Sequence, residues 1–156
     1  MSNAKPLNGV KILELSSVVT ASLATMILCD QGAEVIKVEP TGIGDSMRHL
    51  GTQKGGFSAI FSNCNRGKKS LNLNLKDQDE VKFLLSLVKE SDVFISNYRP
   101  GVNDRLGLGL KALRKINSKI IYVSISGFGE TGPLASAPAY DHIIQGMSGA
   151  TSIPST

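Results

Sequence analysis

Short apolar runs and amphipathic runs take turns along this chain, and that alternation constrains its fold more than any single motif does. "VKILEL" (Val10 to Leu15) and "EVIKVE" (Glu34 to Glu39) have the length and apolar content of strands. Between them "TASLATMILCDQG" reads as a helix, with Gly32 just past its end to take the left-handed turn that stops it. A glycine-containing loop and a short apolar stretch near Phe57 to Phe61 come next, and then "SLNLNL" alternates as a strand. "KDQDEVKFLLSLVKESD" sets Val81, Leu84, Leu85 and Val88 on one helical face. "VFISNY" and "KIIYVSIS" read as the remaining strands, with "GLKALRKIN" as the helix between them. Strands alternating with helices predict an α/β fold, a Rossmann-like, doubly wound, mostly parallel sheet.

Such a sheet raises the question of a dinucleotide. Gly127, Gly129 and Gly132 in "SISGFGETGP" have the spacing G-x-G-x-x-G after an apolar run. The spacing holds a pyrophosphate only when a helix follows, since free N–H groups at the helix N-terminus bind the anion. Pro133 and Pro138 forbid that helix in the next few residues. Conversely, the turn "SSVVTAS" after the first strand precedes a helix and has no glycine to let the backbone approach a phosphate. Glu39 ends the second strand, where a dinucleotide enzyme places its ribose-binding acid, but the fingerprint around it is split. A nicotinamide cofactor is not expected.

With 156 residues, 41% of them hydrophobic and 19% charged, the chain can bury the core of one ordinary domain. It contains no run of about 18 apolar residues, and "MSNAKPLNG" lacks the apolar stretch of a signal peptide. No membrane association is expected, and the expected location is cytoplasmic. The two cysteines, Cys29 and Cys64, are far apart, without C-x-x-C or a histidine pair, and read as reduced thiols; no metal is expected. The formal charge of +4 suits an anionic partner. Its one tight basic cluster, Arg66, Lys68 and Lys69, has no interleaved aromatic residues, so a phosphorylated small molecule is expected rather than nucleic acid.

Six segments carry a resemblance: "GAEVIKVE", "NRGKKSLNLNL", "DVFISNYRPGV", "LGLG", "SISGFGETGP" and "AYDHIIQGMSG". In this order, over about Leu7 to Gly149, the chain resembles the N-terminal part of the family III CoA-transferases, which include formyl-CoA and carnitine CoA-transferases and alpha-methylacyl-CoA racemase. The resemblance implies the N-terminal part of a larger fold in which two long chains interlace into a homodimer. Residues 1–6 then read as an N-terminal arm or tag remnant, and 7–156 as the Rossmann-like, CoA-binding portion of a longer chain. The implied substrates are an acyl-CoA and a carboxylic acid acceptor. In the family an aspartate attacks the thioester and forms first an aspartyl anhydride and then an aspartyl-CoA thioester; covalent catalysis divides one hard exchange into easier ones. That nucleophile is expected beyond Thr156, so the isolated chain is expected to be inactive. Asp141, in "AYDHI", matches a different family position and reads as a helix N-cap.

By motif match the resemblance places coenzyme A contacts on Val18, Leu73, Lys76, Asn97, Tyr98, Arg99 and Arg105, with Lys76 and Arg105 as phosphate partners. Each has a structural alternative: a strand cap for Lys76, an ion pair for Arg105, the end of a strand for Asn97 and Tyr98. The formyl-CoA enzyme has histidine where this chain has Ser17 and glutamine where it has Val19, which speaks against formyl transfer. Racemases of the family use a histidine at the position of Tyr140, and a phenol is a poorer proton shuttle at neutral pH than an imidazole. Transfer is favoured. A racemase relative and a non-catalytic CoA- or nucleotide-binding module remain as alternatives.

Overall fold

Successive residues of a strand face opposite sides, so a strand that carries apolar residues on both sides must be covered twice. In the computed structural model, which describes residues 5–153, β1 (Lys11–Leu15) and β2 (Glu34–Pro40) are such strands. They join β5 (Lys69–Leu73), β6 (Val93–Ser96) and β7 (Ile121–Ser124) in a sheet of order β5-β2-β1-β6-β7. Every pairing in it is parallel. The expected Rossmann-like sheet is therefore present.

Leu13, Leu15, Val38 and Phe94 point to one face and pack with Leu84 and Val88 of α3 (Gln78–Val88) and Leu113 of α5 (Leu110–Ile116). The Phe94 ring stacks on Tyr122 with centroids 5.4 Å apart. Ile12, Val35 and Ile95 point to the other face and meet Ala21 of α1 (Thr20–Asp30). Helix α1 stops as its sequence indicates, with Gly32 at φ 106°. Helix α3 starts at Asp77, whose Oδ1 accepts from the N–H groups of Asp79 and Glu80 at 2.8 and 3.4 Å. Asp77→Ala is expected to cost about 1 kcal/mol, the usual loss for an N-cap, read as a lower midpoint in urea unfolding with an unchanged slope.

The β2–β5 connection holds more structure than the expected loop. A 3-10 turn (Ser46–His49) precedes a short hairpin, β3 (Gln53–Lys54) with β4 (Phe57–Ser58), and α2 (Ala59–Asn65), whose N-cap Ser58 accepts from Phe61 N–H. A four-residue helix, α4 (Val102–Arg105), also lies unforeseen between β6 and α5. All of this belongs to a first compact unit ending at Ile125.

A second unit begins at Ser126. As expected, no helix follows the glycines until α6 (Asp141–Met147). The N-cap there is Tyr140, not Asp141. Asp141 is instead the first helical residue, and its carboxylate accepts from Gln145 Nε2 at 2.6 Å, one turn on. Residues 1–4 of the expected N-terminal arm lie outside the described residues. Among the described residues, no helix is long and apolar enough to cross a membrane, and no group of three or more His, Cys, Asp or Glu is placed to hold a metal ion.

Candidate functional site

In a parallel sheet all strands end on one edge, and the loops leave that edge in opposite directions where the chain order reverses. Here the reversal falls between β1 and β6, since β1 leads to β2 on one side and β6 to β7 on the other. The two loops that diverge there carry Val18 and Asn97. Asn97 extends the strand pairing with its side chain. Its Oδ1 accepts from Ser17 N–H at 3.0 Å, while its Nδ2 donates to Ser17 O at 2.7 Å and to Thr20 Oγ1 at 3.0 Å. A side-chain amide that pairs with a backbone amide in this way ties the two loops together and explains why β6 ends at Ser96.

The next residue is strained. Val18 has φ 62°, the only positive φ at a non-glycine residue among those described. For a β-branched side chain this is an outlier that costs on the order of 1–3 kcal/mol and persists only where the surroundings enforce it. Asp45, at the start of the 3-10 turn, supplies part of that enforcement. Its Oδ1 accepts from Val18 N–H at 3.1 Å and from Met47 N–H at 2.9 Å, and its own N–H donates to Glu39 Oε2 at 2.9 Å.

Beneath this loop the α1-covered face of the sheet turns from apolar to polar. Glu14 and Lys37, register partners on β1 and β2, are both fully buried and joined at 2.8 Å. Glu14 also accepts from Ser16 Oγ and Thr25 Oγ1 at 2.5 Å, from Ser22 Oγ at 3.2 Å and from Lys68 Nζ at 2.8 Å. Helix α1 thus turns Ser22 and Thr25 toward the sheet. Lys68 Nζ has three acceptors, Glu14 Oε2, Ser22 O and Asn65 Oδ1, each at 2.8 Å. Three acceptors match the three protons of an ammonium. Lys37 Nζ reaches Asp45 Oδ2 at 2.9 Å as an ion pair without hydrogen-bond geometry. Two carboxylates and two ammoniums therefore neutralise one another within the protein.

Burial pushes the Glu14 carboxyl up, but the charges and hydrogen bonds of Lys37 and Lys68 outweigh it and hold the group down at about 2. Burial also pushes the Lys68 ammonium down, with Glu14 offsetting part of the effect; the three acceptors favour the charged form. Glu39 is likewise held at about 2 despite burial, by Arg48, the Asp45 N–H and Ser70. Arg48 grips it in bidentate fashion at 2.7 and 2.8 Å and lies 3.8 Å over the Phe61 ring. Glu39 is thus engaged inside the protein and is not free to hold a ribose.

The residues expected to contact a ligand fall into three groups. Val18, Asn97 and Tyr98 lie on the two loops that diverge at the reversal point. Tyr98 is half-buried; its burial, and then the Asp45 charge, push the phenol up, so its hydroxyl stays protonated at neutral pH. Lys76, Arg99 and Arg105 are exposed cations on segments that follow β5 and β6, and none of them has an ion pair among the described residues. The guanidinium of Arg105 stands beside the Gly101 turn, 3.4 Å from where a Cβ there would be. Leu73, in contrast, closes β5 with its side chain in the core at 6% exposure, so only its backbone is available to a ligand. The basic cluster separates: Arg66 pairs with Asp30 and Lys69 with Glu34 at the surface, while Lys68 is buried.

The model of CoA-transferase family III matches residues 7–156. This chain belongs to that family. It is 49% identical to acetyl-CoA:oxalate CoA-transferase of Acetobacter aceti over 144 residues, covering 92% of this chain and 37% of that enzyme. It is 45% identical to human succinyl-CoA:glutarate CoA-transferase over 150 residues, covering 96% of this chain and 34% of that enzyme. Among solved structures, a CAIB/BAIF family protein from Brucella suis superimposes with a TM-score of 0.90 at 39% identity, covering 98% of this chain and 42% of that one. The chain therefore spans about a third of the length of these curated family III relatives.

Asp45, Glu14 and Lys37 were not evident as site-forming residues from sequence. The available signal was a charge at the centre of an apolar strand, in "KILEL" and again in "EVIKVE", which a doubly covered sheet tolerates only if the charge is paired.

Proposed function

We propose that this chain supplies the CoA-binding portion of an enzyme that moves CoA from an acyl-CoA to a carboxylic acid. The supporting observation is the pair of loops locked together by Asn97 at the reversal point of the sheet, with Lys76, Arg99 and Arg105 unpaired on segments leaving its carboxyl edge. CoA carries a pyrophosphate, a ribose phosphate and a long pantetheine arm. It suits scattered cations and a groove better than one tight anion nest. Residues 7–156 make up this portion.

The chemistry rests on an aspartate outside this chain. Its carboxylate oxygen bonds to the thioester carbon, the C–S bond breaks, and CoA leaves as a thiolate beside a mixed anhydride. The thiolate then attacks the aspartyl carbonyl, forms an aspartyl-CoA thioester and expels the first acid as its carboxylate. The acceptor carboxylate repeats the two steps in reverse and restores the aspartate. No net proton is consumed. The role of this chain is to hold the CoA moiety while acyl groups exchange, as a homodimer in the longer protein. The relatives named for oxalate and glutarate transfer CoA to dicarboxylates, and a dicarboxylic acid is the acceptor class we propose here.

Calorimetric titration of free CoA tests the binding role. Arg105→Ala is expected to weaken CoA by about tenfold, the worth of one charge-assisted phosphate contact. Arg114→Ala, on the exposed side of α5, is the control expected to leave affinity unchanged. Equal affinities in all three proteins would contradict the placement of the phosphate. Turnover of any acyl-CoA and acid pair by the isolated chain would contradict an external nucleophile.

A further inference from the structure

Buried carboxylates usually serve the core, but Asp45 touches a loop that the core does not need. We propose that Asp45 is a positioning residue for the CoA site, acting through the backbone of Val18; this rests on the CoA-binding reading above. Asp45 is 1% exposed and its two oxygens have separate duties. Oδ2 faces the Lys37 ammonium and fixes the carboxylate in place. Oδ1 accepts from Val18 N–H and from Met47 N–H.

The geometry explains why such a device is needed. Val18 stands between two constraints: Asn97 holds the Ser17 backbone on one side, and α1 begins at Thr20 on the other. A valine left to itself leaves the left-handed region, because its branched Cβ crowds the following carbonyl. Glycine tolerates that region without help. The acceptor oxygen of Asp45 therefore selects the one loop conformation that turns away from β1 toward the reversal point. Lys37 links this selection to Glu14, so the buried charges under the sheet and the loop above it form one connected unit.

A double-mutant cycle with two readouts tests the proposal. The first is hydrogen exchange at the Val18 amide. Asp45→Ala is expected to accelerate it more than tenfold while the amides of Leu13 and Leu15 stay protected. The second is CoA affinity by calorimetry. Asp45→Ala is expected to weaken CoA at least tenfold in the natural background and at most threefold when Val18→Gly is also present. Asp45→Asn, which keeps an acceptor oxygen of the same reach toward Val18 but turns its amide nitrogen toward Lys37, is the variant to use should alanine prevent folding, and it is expected to lose less than tenfold in affinity. Equal losses in the Val18 and Val18→Gly backgrounds would overturn the proposal, because a merely structural carboxylate would be indifferent to residue 18. A loss for Asp45→Asn beyond tenfold, or an Asp45→Ala protein that binds CoA as well as the parent, would also overturn it while leaving the CoA-binding reading intact. A folded parent chain that binds no CoA would overturn both, and the exchange data would then assign Asp45 to loop structure alone.

Discussion

Lys37→Met is expected to destabilise the folded chain by about 3–5 kcal/mol, the cost of removing one partner from a buried ion cluster. The variant keeps most of the length of the side chain and removes the charge. Glu14 would keep only Lys68 as an ionic partner among the described residues, and Asp45 would lose its ion pair. Ser16 Oγ, Ser16 O and Ser22 Oγ would each lose a donor at 2.9–3.3 Å in a region closed to water. The attraction within the cluster is not the source of so large an effect, since desolvation offsets much of it; the uncompensated carboxylates left behind are. Lys82→Met is the matched control. Its pair with Asp79 is exposed on both sides and should be worth less than about 1 kcal/mol. Urea unfolding of both variants checks this, and a Lys37→Met effect no larger than that of Lys82→Met would show that the cluster is solvated.

Acid is expected to remove a comparable amount of stability. Glu14 has its folded pKa held at about 2, below the ordinary 4.5 that it regains on unfolding. A carboxylate with a depressed folded pKa contributes stability that is complete above 4.5 and is lost as the pH falls through about 2. The difference corresponds to about 3 kcal/mol. Glu39 titrates in the same window and with the same sign, by a smaller amount because its partner Arg48 is partly open to solvent. Stability measured by urea unfolding should therefore be flat from neutral pH to about 5 and fall steeply below it. Glu14→Gln should be less stable at pH 7 and show a shallower fall. A parent protein and a Glu14→Gln variant with parallel pH profiles would remove Glu14 from the account.

The sheet was legible because its evidence is local. Apolar runs, a glycine past α1 and the Val81–Leu84–Val88 stripe of α3 each announce one element without reference to another. The β2–β5 connection was not, because its hairpin strands are two residues each and its 3-10 turn depends on a single Asp45 cap. Val18, Asn97 and Tyr98 entered only through the family resemblance, by motif match, and the strand order then brings together the ends of β1 and β6 that they follow. The rest of the site depends on register. Nothing in "KILEL" says that Glu14 will face Lys37, since that follows from which strand lies beside β1 and at what offset. Lys68 arrives from a different strand connection altogether, and its neighbours Arg66 and Lys69 point elsewhere. A cluster of three cations in sequence became one buried charge and two surface pairs.

Whether the loops after β1 and β6 form a CoA site is tested by following the backbone amides of the chain by NMR during titration with free CoA. Saturable shifts are expected, centred on Ser17 to Val19 and Asn97 to Arg99, with further shifts near Lys76 and Arg105. Saturable binding whose shifts lie away from both loops would contradict a CoA site there.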